Sequence, residues 1–448
     1  MANQLYFSRD TKVYIEFNGV TWEVPVLDGF SFSQANNTSE ITLAEMESSA
    51  GVSRRGRRAF NDSLAAGEWS FSTYVRPFAS ASGGALGDSD DQDTDASGYA
   101  AKAVKGSADS GTDTHAVEEV LWAMMAGATT YDQSANSYKR GTSTVITPAS
   151  GSSAISFAAS NVSVLQPDAN LANIYFVMGD ANRTVIKLVG AIVNEASIDF
   201  EIDGIATIAW SGNCSEVLDY TGSVIESASE PAHNGTTNDG STIAIGDVWL
   251  DTNDDHRLYV MTNVGNGTEE GTKFINEAVT DSTTFIRNRL TSLTVDGSNT
   301  TGLQSSYDVT LTGGNITISN NITFITPEEL GIVNVPVGHV TGTRSVSGSF
   351  NCYLTLNTAN KTGTGSGADR SRDLFEDLRA LTSTVTNSVA LTFSIGGSAG
   401  NRLEVSMPTC HLEIPTHSIE DVISLETTFQ ALPSTIDGTN ELTLTYRV

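Results

Sequence analysis

Apolar and polar residues alternate with a period of two along most of this chain, in short runs broken by Gly, Asn, Asp and Ser. That spacing predicts β-strands with one buried and one polar face. The run KVYIEFNGVTWEVPV, Lys12 to Val26, reads as a hairpin turned at Asn18-Gly19. GFSFSQ (Gly29 to Gln34) and EWSFSTYVRPF (Glu68 to Phe78) alternate likewise. From Ala79 to Asp113 the composition is that of a loop. A helix is predicted next, capped by Asp113 or Thr114, with Val117, Val120, Leu121 and Met124 on one face. Farther on, the loop GTGSGADRS (Gly363 to Ser371) precedes a second helix with Leu374, Phe375, Leu378 and Leu381 as its apolar face.

The pattern occurs twice. SFSTY at Ser70 to Tyr74 answers SFNCY at Ser349 to Tyr353. Leu27 to Thr42 matches Leu311 to Thr326, and Ile174 to Gly212 matches Leu391 to Ala431. Three matches in one order point to a tandem duplication. Each copy is then a β-unit in which one helix covers a face or edge of an antiparallel sheet. The expected domains are 1–215, a linker with a small β-rich insert over 216–285, and 286–448. A duplicated subunit lets three chains fill six equivalent places in a ring, which suits a building block.

The insert has no counterpart in the repeat. From Glu216 to Asp281 it carries thirteen carboxylates against Arg257 and Lys273, a net charge of −11. Such a stretch belongs on a solvent-facing surface, because unpaired buried carboxylates are costly. Within it, Gly246 to Asn263 reads as two short strands around a turn.

The whole chain of 448 residues carries a net charge of −29. A nucleic-acid reader needs cations to displace counterions, so that class is disfavoured. A surface past which DNA moves without sticking is not. No apolar run approaches membrane-spanning length, and MANQLYFSRD has no apolar core of a secretion signal. Cys214, Cys352 and Cys410 are isolated from one another and read as buried free thiols of a reducing compartment.

Catalytic and cofactor patterns are weak, and neither an enzyme nor a cofactor is expected. GGSAG, Gly396 to Gly400, joins two alternating strands, whereas a nucleophile elbow needs a strand-to-helix turn. Gly363, Gly365 and Ala368 lack the preceding parallel strand of a dinucleotide site. Asp91, Asp93 and Asp95 begin like a calcium loop, but Ala96 and Lys102 stand where glycine and a bidentate acid are required. Arg54, Arg55, Arg57 and Arg58 form the one basic cluster. In so acidic a chain, pairing with carboxylates of a neighbouring subunit is its simplest role; a solvated loop and DNA contact are the alternatives.

RRGRRAFNDSLAAGEWSFSTY (Arg54 to Tyr74) resembles the signature of tail tube proteins from long-tailed, non-contractile siphophages of the T-five type. Ile318 to Leu354 resembles the matching block of their second half, and Glu201 to Gly212 and Ser418 to Ser434 are similar to the unit ends. The resemblance implies two packed antiparallel sheets plus a flanking helix, used twice per chain. It implies homotrimeric, pseudo-hexameric rings stacked into a conduit for DNA ejection, in a virion tail made in the host cytoplasm. Partners would be further copies of the chain, tail tip and terminator proteins, and DNA passing without specific binding. An acid-lined lumen follows, with Asp199, Glu201 and Asp203 in one copy and Glu413, Glu420 and Asp421 in the other as candidates. Family members also carry an immunoglobulin-like module after the second copy; here the last strand read is Glu441 to Val448. A second reading is a glycan-binding β-adhesin or fibre protein, with Trp249 and Tyr259 beside the insert's Asp residues as a sugar platform.

Overall fold

A computed structural model of the chain describes residues 6–41, 58–79, 113–132, 137–157, 171–179, 183–229, 231–232, 235–253, 256–263, 270–271, 273–276, 285–326, 330, 334–355, 369–381, 388–419, 421–435 and 438–448. Over these residues the fold is mainly β, with two α-helices. β1 (Thr11–Phe17) and β2 (Val20–Glu23) make the expected hairpin. Its tip residues Asn18 and Gly19 have φ of 56° and 79°, the left-handed values that a tight hairpin turn demands. β3 (Ser31–Ser33), a hairpin of β4 (Asn36–Ile41) and β5 (Arg58–Leu64), and β6 (Gly67–Tyr74) follow.

The first helix, α1 (Glu119–Met125), starts later than its sequence suggests. Asp113 forms a bridge to Ser150, and Thr114–Ala116 pairs with Pro77–Ala79, so the expected cap residues are drawn into β-structure by an available edge. All seven residues of α1 are buried, because elements from both halves of the chain surround it.

β7 (Ser152–Ser156), β8 (Ala172–Met178), β9 (Thr184–Glu201), β10 (Thr207–Cys214) and β11 (Glu216–Asp219) complete the first half. The insert contributes β12 (Val224–Ser227), β13 (Val248–Asp251) and β14 (Arg257–Asn263). The second half holds β15 (Leu311–Ser319), the hairpin β16 (Ile322–Ile325) and β17 (Gly338–Thr341), and β18 (Ser345–Tyr353). It continues through α2 (Ser371–Ala380), β19 (Val389–Ile395), β20 (Arg402–Leu412), β21 (Thr416–Ile419), β22 (Ile423–Ala431) and β23 (Thr443–Arg447). The GGSAG segment is the turn between β19 and β20, with Gly396 and Gly397 at φ near 105°.

β9 belongs to two sheets. Thr184 to Ala191 pairs with β8, and Ile192 to Asp199 pairs with β10, with register shifts on either side of the change. Gly190, at φ 63°, sits at the bend, where a Cβ would lie 2.7 Å from Ser215 Oγ. Strands that switch sheets need such a kink or bulge. The outer sheet of the first half runs β2–β1–β8–β9–β11. That of the second half includes Ser292–Asp296 and runs from it through β19, β20 and β23 to β7 of the first half. The last strand of the chain is therefore held between the two halves.

One core serves both halves. Trp122 meets Trp210 edge-on at 4.6 Å, Phe200 meets Phe393 at 5.4 Å, and Phe393 meets Phe429 at 5.7 Å. Burying each such ring contributes about 2 kcal/mol or more. A second, smaller core joins the insert to the outer sheet: Trp249, Tyr259, Leu250 and Leu258 pack with Tyr14, Tyr175, Val177 and Val185. Trp249 and Tyr259 stack at 4.8 Å and are only 2% and 3% exposed, so they offer no platform to a sugar. Trp249→Ala should loosen this small core by about 3 kcal/mol. Proteolysis confined to the insert, with the rest of the fold intact, is the expected outcome; cleavage spreading through both halves would show that the insert supports the main core.

Candidate assembly surface

Eight strands form one antiparallel sheet in the order β3–β6–β10–β9–β15–β18–β22–β21. The halves join at its centre, where β9 pairs with β15 from Glu195↔Ser319 to Glu201↔Gly313. The order of the first four strands is repeated by the last four. Ser70 in β6 lies between Ser31 and Ser211, and Ser349 in β18 lies between Asn315 and Thr428. At the next inward position the two halves exchange large for small. Trp69 faces Gly212 in the first, and Gly348 faces Phe429 in the second. The same volume is filled from opposite strands, as close packing requires.

One face of this sheet is apolar and buried: Trp69, Phe71, Ile198, Phe200, Ile208, Trp210, Ile316, Ile318, Phe350 and Phe429 lie on it. The other carries small hydroxyl and amide side chains, among them Ser70, Ser211, Ser197, Asn315, Thr317, Ser349 and Thr428, interspersed with carboxylates. No Lys or Arg occurs in β3, β6, β10, β15, β18, β21 or β22, nor in β9 beyond Ile192. The outermost strands, β3 and β21, each pair on one side only among the described residues.

Asp199 and Glu201 lie on this polar face, in phase with Glu195 and Ser197. Desolvation raises the Asp199 carboxyl above its usual range, the neighbouring Glu201 adds to the rise, and a hydrogen bond from Ser197 opposes it. Glu413 accepts a hydrogen bond from Thr428 Oγ1 at 2.7 Å, which places it on the same face. Asp203 and Asp421 lie in turns at the end of the sheet. Asp203 makes a 3.5 Å pair with Arg289 in which both side chains are largely exposed, a contact of little energetic weight. Glu420 falls outside the described residues. So do Arg54, Arg55 and Arg57, while Arg58 begins β5, in the hairpin that also holds β4. This hairpin adjoins the β16–β17 hairpin: Ser63 bridges Asn334, and Leu64 N donates to Asn334 O at 2.8 Å.

Sequence reasoning missed Glu68, Glu195 and Glu426 on the polar face, although counting in twos from Asp199 and Ser70 reaches the first two. It also missed a buried polar seam between the halves. Tyr446 of β23 donates to Glu118 Oε1 at 2.6 Å, and Trp122 Nε1 donates to the Tyr446 hydroxyl at 2.7 Å. The consecutive acids Glu118-Glu119 ahead of an apolar helix were the available signal.

No family model matches the chain. Over 426 residues it is 25% identical to the tail tube protein pb6 of Escherichia phage T5, a match spanning 94% of this chain and 70% of the relative. This chain is a relative of the T5-type tail tube proteins. A match of that length takes in both halves of the chain. A tail tube relative whose strands carry a cation-free polar face suggests a structural role. Among the described residues no group of His, Cys, Asp or Glu could hold a metal, and no helix is long and apolar enough to cross a membrane.

Proposed function

We propose that the chain builds a phage tail tube: three copies close a ring of six duplicated units, and rings stack into a hollow conduit for DNA. The observation that carries this reading is the eight-stranded sheet, with its repeated strand order, its two one-sided edges and its cation-free polar face. An open sheet edge is a hazard in a monomer and a joint in a polymer. A wall of hydroxyls, amides and carboxylates gives the DNA backbone no cation to release its counterions, so DNA passes without binding. Asp199, Glu201 and Glu413, joined by Glu68, Glu195 and Glu426, would line the lumen. The ends of the tube would meet tail tip and terminator proteins of the virion.

The hairpins β4–β5 and β16–β17 adjoin one another and, with Phe60, Val335 and Val337 exposed, are suited to contact a neighbouring ring. Arg58 begins the second strand of the first hairpin and Arg54, Arg55 and Arg57 precede it in the sequence; we assign all four to acidic partners across that boundary. Each exposed pair contributes at most about 1 kcal/mol, but every ring repeats it. Replacing all four by Ser should leave the monomer folded and weaken polymerisation, and polymers of the unaltered chain should loosen as salt rises. Equal polymerisation at all salt concentrations would reduce the cluster to a solvated loop. Electron microscopy of the purified chain tests the function itself: rings or hollow tubes support it, and dispersed single particles at every concentration contradict it.

A further inference from the structure

We propose that Lys187 and Asn173 become joined by an isopeptide bond, with Glu16 as the proton carrier, which staples β8 to β9 beneath the insert. The chain makes this link by itself, and the link does not depend on the tube reading.

The three side chains share the outward face of the outer sheet, the face whose Tyr14 and Tyr175 pack with the insert. Glu16 of β1 is opposite Asn173 of β8, and Asn173 Nδ2 donates to Glu16 Oε2 at 2.7 Å. Lys187 of β9 is opposite Tyr175, so Asn173 is its diagonal neighbour, a separation that a lysine arm spans. The register shift between Ala172 and Ile174 falls at Asn173, whose amide oxygen accepts from Gly190 N at 3.5 Å. Lys187 Nζ lies 5.4 Å from the centre of the Tyr175 ring and 4.5 Å from that of Tyr220. It forms no hydrogen bond or salt bridge among the described residues. Tyr14 donates to His256 O at 3.3 Å and Tyr220 to Gly246 O at 2.9 Å, so the insert roofs the cluster.

Burial raises the Glu16 carboxyl above its ordinary range, against the Asn173 hydrogen bond and the charge of Lys187. Burial also lowers Lys187 below the ordinary lysine range, against Glu16 and Asp247. Both shifts favour the uncharged pair, a carboxylic acid beside a free amine, and only the free amine is a nucleophile. Its Nζ attacks Asn173 Cγ, and the Gly190 N–H meets the charge that builds on Oδ1. Glu16 gives its proton to Nδ2 and takes one from Nζ. The Cγ–Nζ bond forms, the Cγ–Nδ2 bond breaks, and ammonia leaves. Nothing is oxidised or reduced, and Glu16 ends as it began. The tyrosine rings and the insert keep water from the intermediate.

The test is the intact mass of the purified full chain, followed by a tryptic map. The link removes one ammonia, so the chain should weigh less than its sequence by that amount. The map should contain a branched peptide joining Asn173 to Lys187, uncut after Lys187. Lys187→Arg keeps the cation and removes the nucleophile, and should show the full mass of its own sequence. Glu16→Gln keeps a partner for the Asn173 amide and removes the acid, and should link at least about tenfold more slowly. The unaltered chain at full mass would overturn the proposal. An ammonia loss mapped elsewhere, such as a succinimide at Asn18-Gly19, would overturn it equally. Linking of Glu16→Gln at the unaltered rate would remove Glu16 from the reaction.

Discussion

Gly212→Ala should destabilise the fold by about 3 kcal/mol, the upper end of what overpacking costs. A Cβ at this position would lie 2.0 Å from the Ile192 carbonyl oxygen and 2.6 Å from the Trp69 ring. The ring can give way, but the carbonyl belongs to the backbone of β9 at the point where that strand changes sheets. The double variant Gly212→Ala/Trp69→Ala should therefore recover little of the loss. Gly348→Ala meets the same obstacle in the other half, 2.1 Å from the Asn315 carbonyl oxygen. Chemical denaturation of the three variants measures this, and a loss below about 1 kcal/mol for Gly212→Ala would show that the strands spread without strain.

The second large effect is on pH dependence. Burial pushes the Glu118 carboxyl up to about 7, against the opposing influence of the Tyr446 hydroxyl, backbone groups and Arg76. The groups facing it are Arg76, Tyr446 and, one residue on, Glu119 with its His115 partner at 2.9 Å. The folded chain thus binds this proton more tightly than the unfolded chain does. The sign follows: Glu118 favours folding below its unfolded value near 4.5, and that contribution falls away as pH rises through about 7. A shift of this size corresponds to about 3 kcal/mol across the window. Glu118→Gln should flatten stability between those limits. Arg402 and Arg447 hold the Glu404 carboxyl below its usual range despite desolvation, so any loss from that group appears at more acid pH. Identical pH profiles for Glu118→Gln and the unaltered chain would refute the assignment.

Local features of the fold were legible in the sequence. The Asn18-Gly19 turn, the hairpin around GGSAG, the two insert strands about Asp251 to Arg257 and the inward faces of β6 and β18 all follow from alternation and turn chemistry. Long-range pairing was not, because nothing local in Thr443–Arg447 says that this strand will lie between β20 and β7. That pairing also explains the complete burial of α1, whose outer side meets Tyr446 and Asn320 from the second half. Asp113 and Thr114 have the side chains of a helix cap, yet the edges at Pro77–Ala79 and Ser150 claim them first. Of the acids proposed for a lumen, Asp199 and Glu201 follow from strand parity, whereas Asp203 and Asp421 sit in turns where parity carries no information.

In the proposed tube the eight-stranded sheet is one third of a closed barrel with its polar face inward. A three-dimensional reconstruction of the assembled particle by electron microscopy tests it most directly. Threefold symmetry is expected, with Ser70 and Ser349 at one radius about 60° apart, as six places in a ring require, and both facing the channel. A sixfold ring of whole chains, or a channel walled by any other face of the molecule, would contradict it.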